Sequence, residues 1–152
     1  MPTTGRRFQS RQRRTVRLGL QAGWPGARLC NEREWERAGR GADGRLFPGG
    51  DALAPGDADV GNSWSFDAEQ MSEDEVGTYP RDVSPFGVND LAGNVSEWVS
   101  DTIDAAHPGV HVARGGWWSS DAAYVNLTQR VLQPDLLGPP VGFRVCARVP
   151  TE

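Results

Sequence analysis

Apolar positions recur along this chain in short, interrupted stretches, and the longest amphipathic pattern lies at residues 32–40. Trp35 and Ala38 fall on one helical face there, and charged residues cover the opposite face. Asn31 is a favourable N-cap, and Glu34, three residues later, completes a capping-box pattern. The sequence therefore predicts a helix from Glu32 to Arg40.

The rest of the pattern predicts loops and short strands. Residues 42–85 are rich in glycine, proline and acids and are expected to be mostly loop. Strands are predicted at 114–118 and at 143–149, and in the second of these apolar and polar residues alternate. Residues 95–100 are too few for periodicity to decide, and Asn94 is a suitable cap for a short helix there. The predicted fold class is α+β, loop-rich.

Charge divides the chain of 152 residues into two parts. Residues 1–22 hold six arginines and no acid, which favours a disordered basic tail over a nucleic-acid or membrane-surface contact. Residues 23–150 are expected to form one domain. We expect no nucleic-acid partner and no membrane span, and with no signal peptide in view the default localisation is cytoplasmic. All 16 basic residues are arginine, as a GC-rich, bacterial genome would encode.

A run of polar side chains at 90–97 is the first candidate for chemistry. Asp90, Asn94 and Glu97 lie among turn-forming residues, next to Trp98. Side-chain and carbonyl oxygens at this density suit a hard cation such as Ca²⁺. The alternative is a capped turn with solvated acids.

Five blocks follow one another in order along the chain: RLCNEREWERAGRG (28–41), RLFPGGD (45–51), FGVNDLAGNVSEWVSD (86–101), ARGGWW (113–118) and VGFRVCAR (141–148). Together they resemble the formylglycine-generating enzyme family, also called the sulfatase-modifying factor family. The resemblance implies an elaborated C-type-lectin-like fold. It covers the C-terminal part of the family domain, so we expect the domain here to be N-terminally truncated.

The resemblance also bears on catalysis. Members that generate formylglycine hold Cu(I) on two cysteine thiolates, where O₂ oxidises a substrate cysteine to the aldehyde. The matching positions here are Ser120 and Val125, and Trp117 replaces the serine that follows the family's two glycines. A hydroxyl and an isopropyl group cannot replace thiolates on a soft ion. Copper is therefore not expected.

Calcium is the metal that the resemblance favours. Its first site would use two side chains and two backbone carbonyls, those of Asp90, Gly93, Val95 and Glu97. Its second site would begin with the side chain of Asn62 and the carbonyl of Ser63. Asp67 and Asp74 are both candidates for the later acid of that second site.

The remaining cysteines and histidines leave few options. Cys30 and Cys146 form either a disulfide or two buried thiols, and the sequence does not show which. His107 and His111 are separated by Pro-Gly and are predicted to be surface-loop residues rather than metal ligands.

Three functional hypotheses follow. The first is a family member without copper oxidase activity, acting as a calcium-stabilised binding or accessory module for a protein or peptide ligand. The second is a formylglycine-generating oxidase that converts a sulfatase cysteine. The third is a truncated, non-functional gene fragment. Whether the chain is an enzyme stays undecided, because the resemblance is to an oxidase while its copper-binding cysteines are missing.

Overall fold

A computed structural model of the protein describes residues 26–61, 73–103, 110–134 and 141–148. Its regular elements are one helix, α1 (Glu32–Arg40), a short 3-10 helix (Ala122–Tyr124), and the strands β1 (Arg28–Leu29), β2 (Ser96–Thr102), β3 (Val110–Arg114), β4 (Val131–Pro134), β5 (Val141–Phe143) and β6 (Val145–Cys146). The described parts of 42–85 are loop apart from two isolated bridges. The α+β, loop-rich prediction is confirmed. No helix in these described ranges is long and apolar enough to cross a membrane.

Helix α1 begins as predicted. The Asn31 side chain accepts a hydrogen bond from the Glu34 backbone N–H at 2.9 Å, and the Glu34 carboxylate accepts from the Asn31 N–H at 2.9 Å. This reciprocal capping box satisfies two backbone donors that a helix start leaves open. The helix ends at Gly41, and its buried face carries Trp35, which is 1% exposed.

The main sheet has four strands in the order β4-β3-β2-β5. All its pairs are antiparallel except β2 with β5, and a bulge interrupts the pairing of β2 with β3 between Trp98 and Thr102. Strands β1 and β6 form a separate antiparallel pair. Residues 95–100, which periodicity left undecided, lie mostly in β2, so Asn94 precedes a strand rather than capping a helix.

The predicted bounds of two strands were wrong, and so was the predicted location of His111. The strand predicted at 114–118 ends at Arg114, because Gly115 and Gly116 take φ of 89° and 71° and turn the chain away. The strand predicted at 143–149 is divided at Arg144, and residue 149 lies outside the described residues. His111 lies in β3, not in a surface loop, with its ring edge-on to Trp98.

Arg114 brings a buried charge into the core at the end of β3. Its side chain is 2% exposed and donates to Glu32 at 2.8 Å, to Glu36 at 2.9 Å and to the Leu127 carbonyl at 2.7 Å. The guanidinium also lies 5.2 Å from the ring centre of Trp35. Both acids come from α1, so this cluster fixes the helix against the sheet.

A disulfide joins Cys30 to Cys146, with the two Cα atoms 4.9 Å apart. The antiparallel pairing of β1 with β6 brings the two cysteines close together, because Arg28 is opposite Cys146. The backbone N–H of Ser100 also donates to the Cys30 carbonyl, which ties β2 to the same point. Of the two alternatives that the sequence left open, the structure has the disulfide.

Candidate functional site

The chain around Gly116 brings together the two positions at which the family's copper-binding cysteines are expected. Gly116 has φ of 71°, and a Cβ on it would lie 2.6 Å from Val125 Cγ1 and 3.2 Å from Ser120 Oγ. Both side chains are buried, with Ser120 7% and Val125 0% exposed. The two positions therefore contact one point in the core, as a shared site requires.

Neither side chain offers a thiol, and both already have structural roles. The Ser120 hydroxyl accepts a hydrogen bond from the Trp117 N–H at 3.0 Å and closes a tight turn. Val125 packs in a small core cluster with Val60 and Ala92. The chain has two cysteines in all, and both are in the disulfide.

The two acids of the predicted first calcium site have different surroundings in the structure. Asp90 and Glu97 are both buried, at 7% and 8% exposed. Glu97 Oε2 accepts from Trp35 Nε1 at 2.7 Å and from Arg144 Nε at 2.6 Å, and Arg144 also donates to the Asp90 carbonyl at 2.9 Å. A guanidinium thus supplies positive charge next to Glu97, which makes this carboxylate a weaker ligand for a cation.

Burial dominates the electrostatics of Glu97. Removal from water raises the pKa of its carboxyl, while Arg144 and the Trp35 hydrogen bond lower it and nearby Asp90 raises it. The carbonyls of Gly93 and Val95, the other two predicted ligands, belong to the turn that leads into β2. Asp90 itself accepts from the Gly77 N–H at 2.8 Å and has φ of 55°, within this same tight turn.

A second group of acids is held by hydrogen bonds to Asn94. The Asn94 backbone N–H donates to the Asp59 carbonyl at 2.8 Å, and its side-chain amide donates to the Asp74 carbonyl at 3.1 Å. Gly93 has no Cβ that would collide with the Asp59 carbonyl oxygen, which permits this close approach. Asn94 therefore holds two acidic segments, distant in sequence, beside Asp90.

Asp59 is a buried acid that, in the part of the chain that the structure describes, lacks a hydrogen bond on one oxygen and has other acids as neighbours. It is 8% exposed, and its Oδ2 has no hydrogen-bond partner among the described residues. Burial, together with the charges of Asp74, Asp90 and Glu73, raises the pKa of Asp59 to about 6, although one backbone hydrogen bond lowers it. Buried oxygens with surplus negative charge are the donor set that a hard cation binds.

Asp82 adds a further buried carboxyl near Asp90. It is 1% exposed, accepts from the Ala92 N–H at 3.2 Å through Oδ2, and has no described partner for Oδ1. Burial and, to a smaller extent, the Asp90 charge raise the pKa of Asp82 to about 7, although backbone hydrogen bonds lower it. No three carboxylates, imidazoles or thiols of the described ranges converge closely enough to hold an ion alone, so any site here needs backbone carbonyls as well.

Of the remaining predicted metal ligands, the structure describes only some. Asn62, Ser63 and Asp67 lie outside the described residues. Asp74 is described, and the Tyr79 hydroxyl donates to its carboxylate at 2.7 Å. His107 also falls outside the described ranges.

Comparisons with known proteins agree with this arrangement. The model of the sulfatase-modifying factor enzyme 1-like domain matches residues 21–149. The chain belongs to this family. It is 34% identical over 143 residues to the mouse protein named inactive C-alpha-formylglycine-generating enzyme 2, covering 85% of this chain and 45% of that protein. It is 35% identical over 151 residues to the formylglycine-generating enzyme of Streptomyces coelicolor, covering 83% and 48%.

A solved structure supports the same family fold. Treponema denticola variable protein 1 superimposes with a TM-score of 0.64 at 30% identity, covering 82% of this chain and 49% of that one. The chain therefore spans about half the length of the family members that it matches. Both an enzyme and a protein named inactive are among these relatives, so membership of the formylglycine-generating enzyme family alone does not decide activity.

Sequence reasoning missed Asp59 as a site residue. Its neighbours Ala58 and Val60 are both buried, and an acid between two buried apolar residues is an unusual placement. An acid between two apolar residues is therefore the local signal that could have identified Asp59. Its approach to Asn94, however, depends on a contact between segments 35 positions apart in the sequence.

Proposed function

We propose that this chain is a non-catalytic member of the formylglycine-generating enzyme family, acting as a calcium-stabilised binding or accessory module for a protein or peptide ligand. The observation that carries the proposal is the pair Ser120 and Val125, buried together against Gly116. The positions that the resemblance assigns to copper-binding thiolates are adjacent in space, yet one holds a hydroxyl and the other methyl groups.

The chemistry of these groups supports that view. Cu(I) is a soft ion that prefers sulfur, and a serine hydroxyl stays protonated near neutral pH. Cys30 and Cys146 cannot supply the missing thiolates, since they are bonded to each other beside the β1–β6 pair. The mouse relative named inactive is consistent with a non-catalytic role. The disulfide also supports an oxidising compartment over the cytoplasmic default.

Aldehyde formation on a cysteine-containing sulfatase-type peptide, with Cu(I) and O₂ supplied, tests the proposal. We expect no aldehyde above a protein-free control, by mass spectrometry after hydrazide capture. Aldehyde formation by the unmodified chain would establish the oxidase alternative instead.

The double variant S120C/V125C is the matched positive test of the geometry. If the two positions form one site, it should bind one equivalent of Cu(I) in competition with a coloured chelator, while the unmodified chain and the S120C variant should not. Equal copper uptake by all three would show that the two positions are unrelated to copper.

The calcium component rests on Asp59. Its unpartnered Oδ2, close to Asp74 and Asp90, fits a hard cation better than Glu97 does, because Arg144 already neutralises Glu97. When bound, Ca²⁺ would supply charge neutralisation and order to the loops that meet at Asn94. At one hundred times its dissociation constant, a ligand of the folded state adds about 2.7 kcal/mol of stability.

Thermal unfolding with and without millimolar Ca²⁺ measures this effect. We expect a rise in Tm for the unmodified chain, little or no rise for D59N and D90N, and a full rise for D43N, an exposed acid paired with Arg45. E97Q tests whether Glu97 is a calcium ligand. A retained rise in Tm in this variant would favour Asp59 over Glu97 as the ligand. A Tm of the unmodified chain that ignores Ca²⁺ removes calcium from the proposal.

A further inference from the structure

We propose that a groove along helix α1 binds an acidic peptide segment, in extended conformation, with carboxylates at alternate positions. This rests on the proposed function, because it gives the binding module a ligand class and a place. The groove has a volume of about 380 Å³ and lies over the second half of the helix and the glycine-rich turn after it. The lining residues that matter are Arg33, Glu36, Arg37, Arg40, Gly41 and Gly44.

Two of the charged residues in the groove are already compensated. Glu36 accepts from Arg40 at 2.8 Å through one oxygen and from Arg114 at 2.9 Å through the other. Arg40 also donates from Nε and Nη2 to the carbonyls of Arg45 and Gly44. Glu36 and Arg40 are therefore parts of the fold, and they do not neutralise the rest of the groove.

Arg33 and Arg37 are the arginines of the groove that pair with no carboxylate in the part of the chain that the structure describes. Arg37 makes one hydrogen bond, from Nη1 to the Gly41 carbonyl at 2.6 Å, and lies 5.8 Å from the ring centre of Phe86. Arg33 is exposed and has no hydrogen bond or ion pair to any residue that the structure describes. The two are one helical turn apart, a spacing at which like charges are mutually unfavourable. An anionic ligand would relieve that repulsion.

The geometry favours a peptide over a small anion. A guanidinium presents a planar fork that matches a carboxylate. Side chains at this helical spacing lie about 5 to 6 Å apart at Cβ, and alternate side chains of an extended chain lie about 6.6 Å apart. One carboxylate can therefore face each arginine. Phe86 is 59% exposed next to Arg37, and arginine and aromatic residues are enriched at protein interfaces.

Fluorescence anisotropy with a fluorescein-labelled heptapeptide carrying glutamate at every second position tests this proposal. We expect it to bind at least about tenfold tighter than the same peptide with glutamine, and to weaken as salt is raised. R33Q and R37Q should each reduce affinity severalfold. R81Q is the matched control, because Arg81 is exposed, pairs with Asp57 and lies outside the groove, and it should bind like the unmodified chain.

Equal affinity for the two peptides, or unchanged binding by R33Q and R37Q, would overturn the proposal. Inorganic phosphate distinguishes a general anion site, since displacement of the peptide at equal concentrations would mean that a single oxyanion suffices and that no peptide register is recognised. R33Q alters an exposed side chain without described partners, so its folding is not at stake. Aldehyde formation and the Ca²⁺ response involve other residues, so the proposed function can stand if peptide binding fails.

Discussion

Arg114 and Asp59 are both charged side chains buried in the core, yet their surroundings differ in sign and in completeness. Arg114 faces two acids of α1, a carbonyl and an aromatic ring, and only its Nε lacks a partner among the described residues. Asp59 faces other acids and keeps one oxygen unpartnered. The first cluster balances its charge within the chain and serves the fold. Among the described residues the second is left with surplus negative charge, which a bound proton or cation would reduce.

The largest expected effect comes from breaking the balanced cluster. R114A should lower the free energy of unfolding by about 3 kcal/mol or more, because it leaves Glu32 and Glu36 buried in part without their common counter-ion. Urea denaturation measures this. R130Q removes an exposed partner of the same Glu32 and should cost less than about 1 kcal/mol. Equal losses in the two variants would mean that Arg114 has no special role.

A smaller effect is expected from titrating the unbalanced cluster. The folded-state pKa values of Asp59 and Asp82, about 6 and about 7, lie above the ordinary value of 3.8. The folded chain therefore binds protons more tightly than the unfolded chain between about pH 4 and pH 7. In calcium-free buffer its stability should rise as the pH falls through this window, and Ca²⁺ should weaken that trend. A stability that instead falls from pH 7 to pH 5 without calcium would contradict the assignment.

The smallest expected effect separates the two acids of this cluster. D82N removes a buried charge whose Oδ1 is unpartnered, and it should raise Tm in calcium-free buffer at pH 8 by about 3 °C. Because the proposed calcium site uses Asp59, D82N should keep most of the Ca²⁺-dependent rise in Tm. Loss of that rise in D82N but not in D59N would move the site to Asp82.

Local signals were enough for the helix and misleading for the strands. The start of α1 depends on a capping box of residues three apart, and its end on the glycine at position 41, so the sequence alone placed both bounds correctly. The strand predicted at 114–118 failed, because the glycine pair takes a left-handed turn whose purpose is close contact with Ser120 and Val125. The strand predicted at 143–149 is divided at Arg144, whose side chain donates to Glu97.

The candidate site was predictable only where one segment contains it. Asp90 and Glu97 lie in one block, and their burial agrees with a role beyond a solvated turn. That Arg144 pairs with Glu97, and that Asp59 and Asp74 meet at Asn94, depends on contacts between distant segments. The same is true of the disulfide, since neither cysteine's local sequence indicates its partner.

The disulfide also decides how the domain would respond to mechanical force. Tension applied at the two chain ends would pass from Cys30 to Cys146 through the sulfur bridge and would bypass the segment between them. Arg33, Asp59 and Ser120 all lie inside that bypassed segment. Force transmitted through Cys30 and Cys146 should therefore leave the segment between them folded until the bridge is reduced.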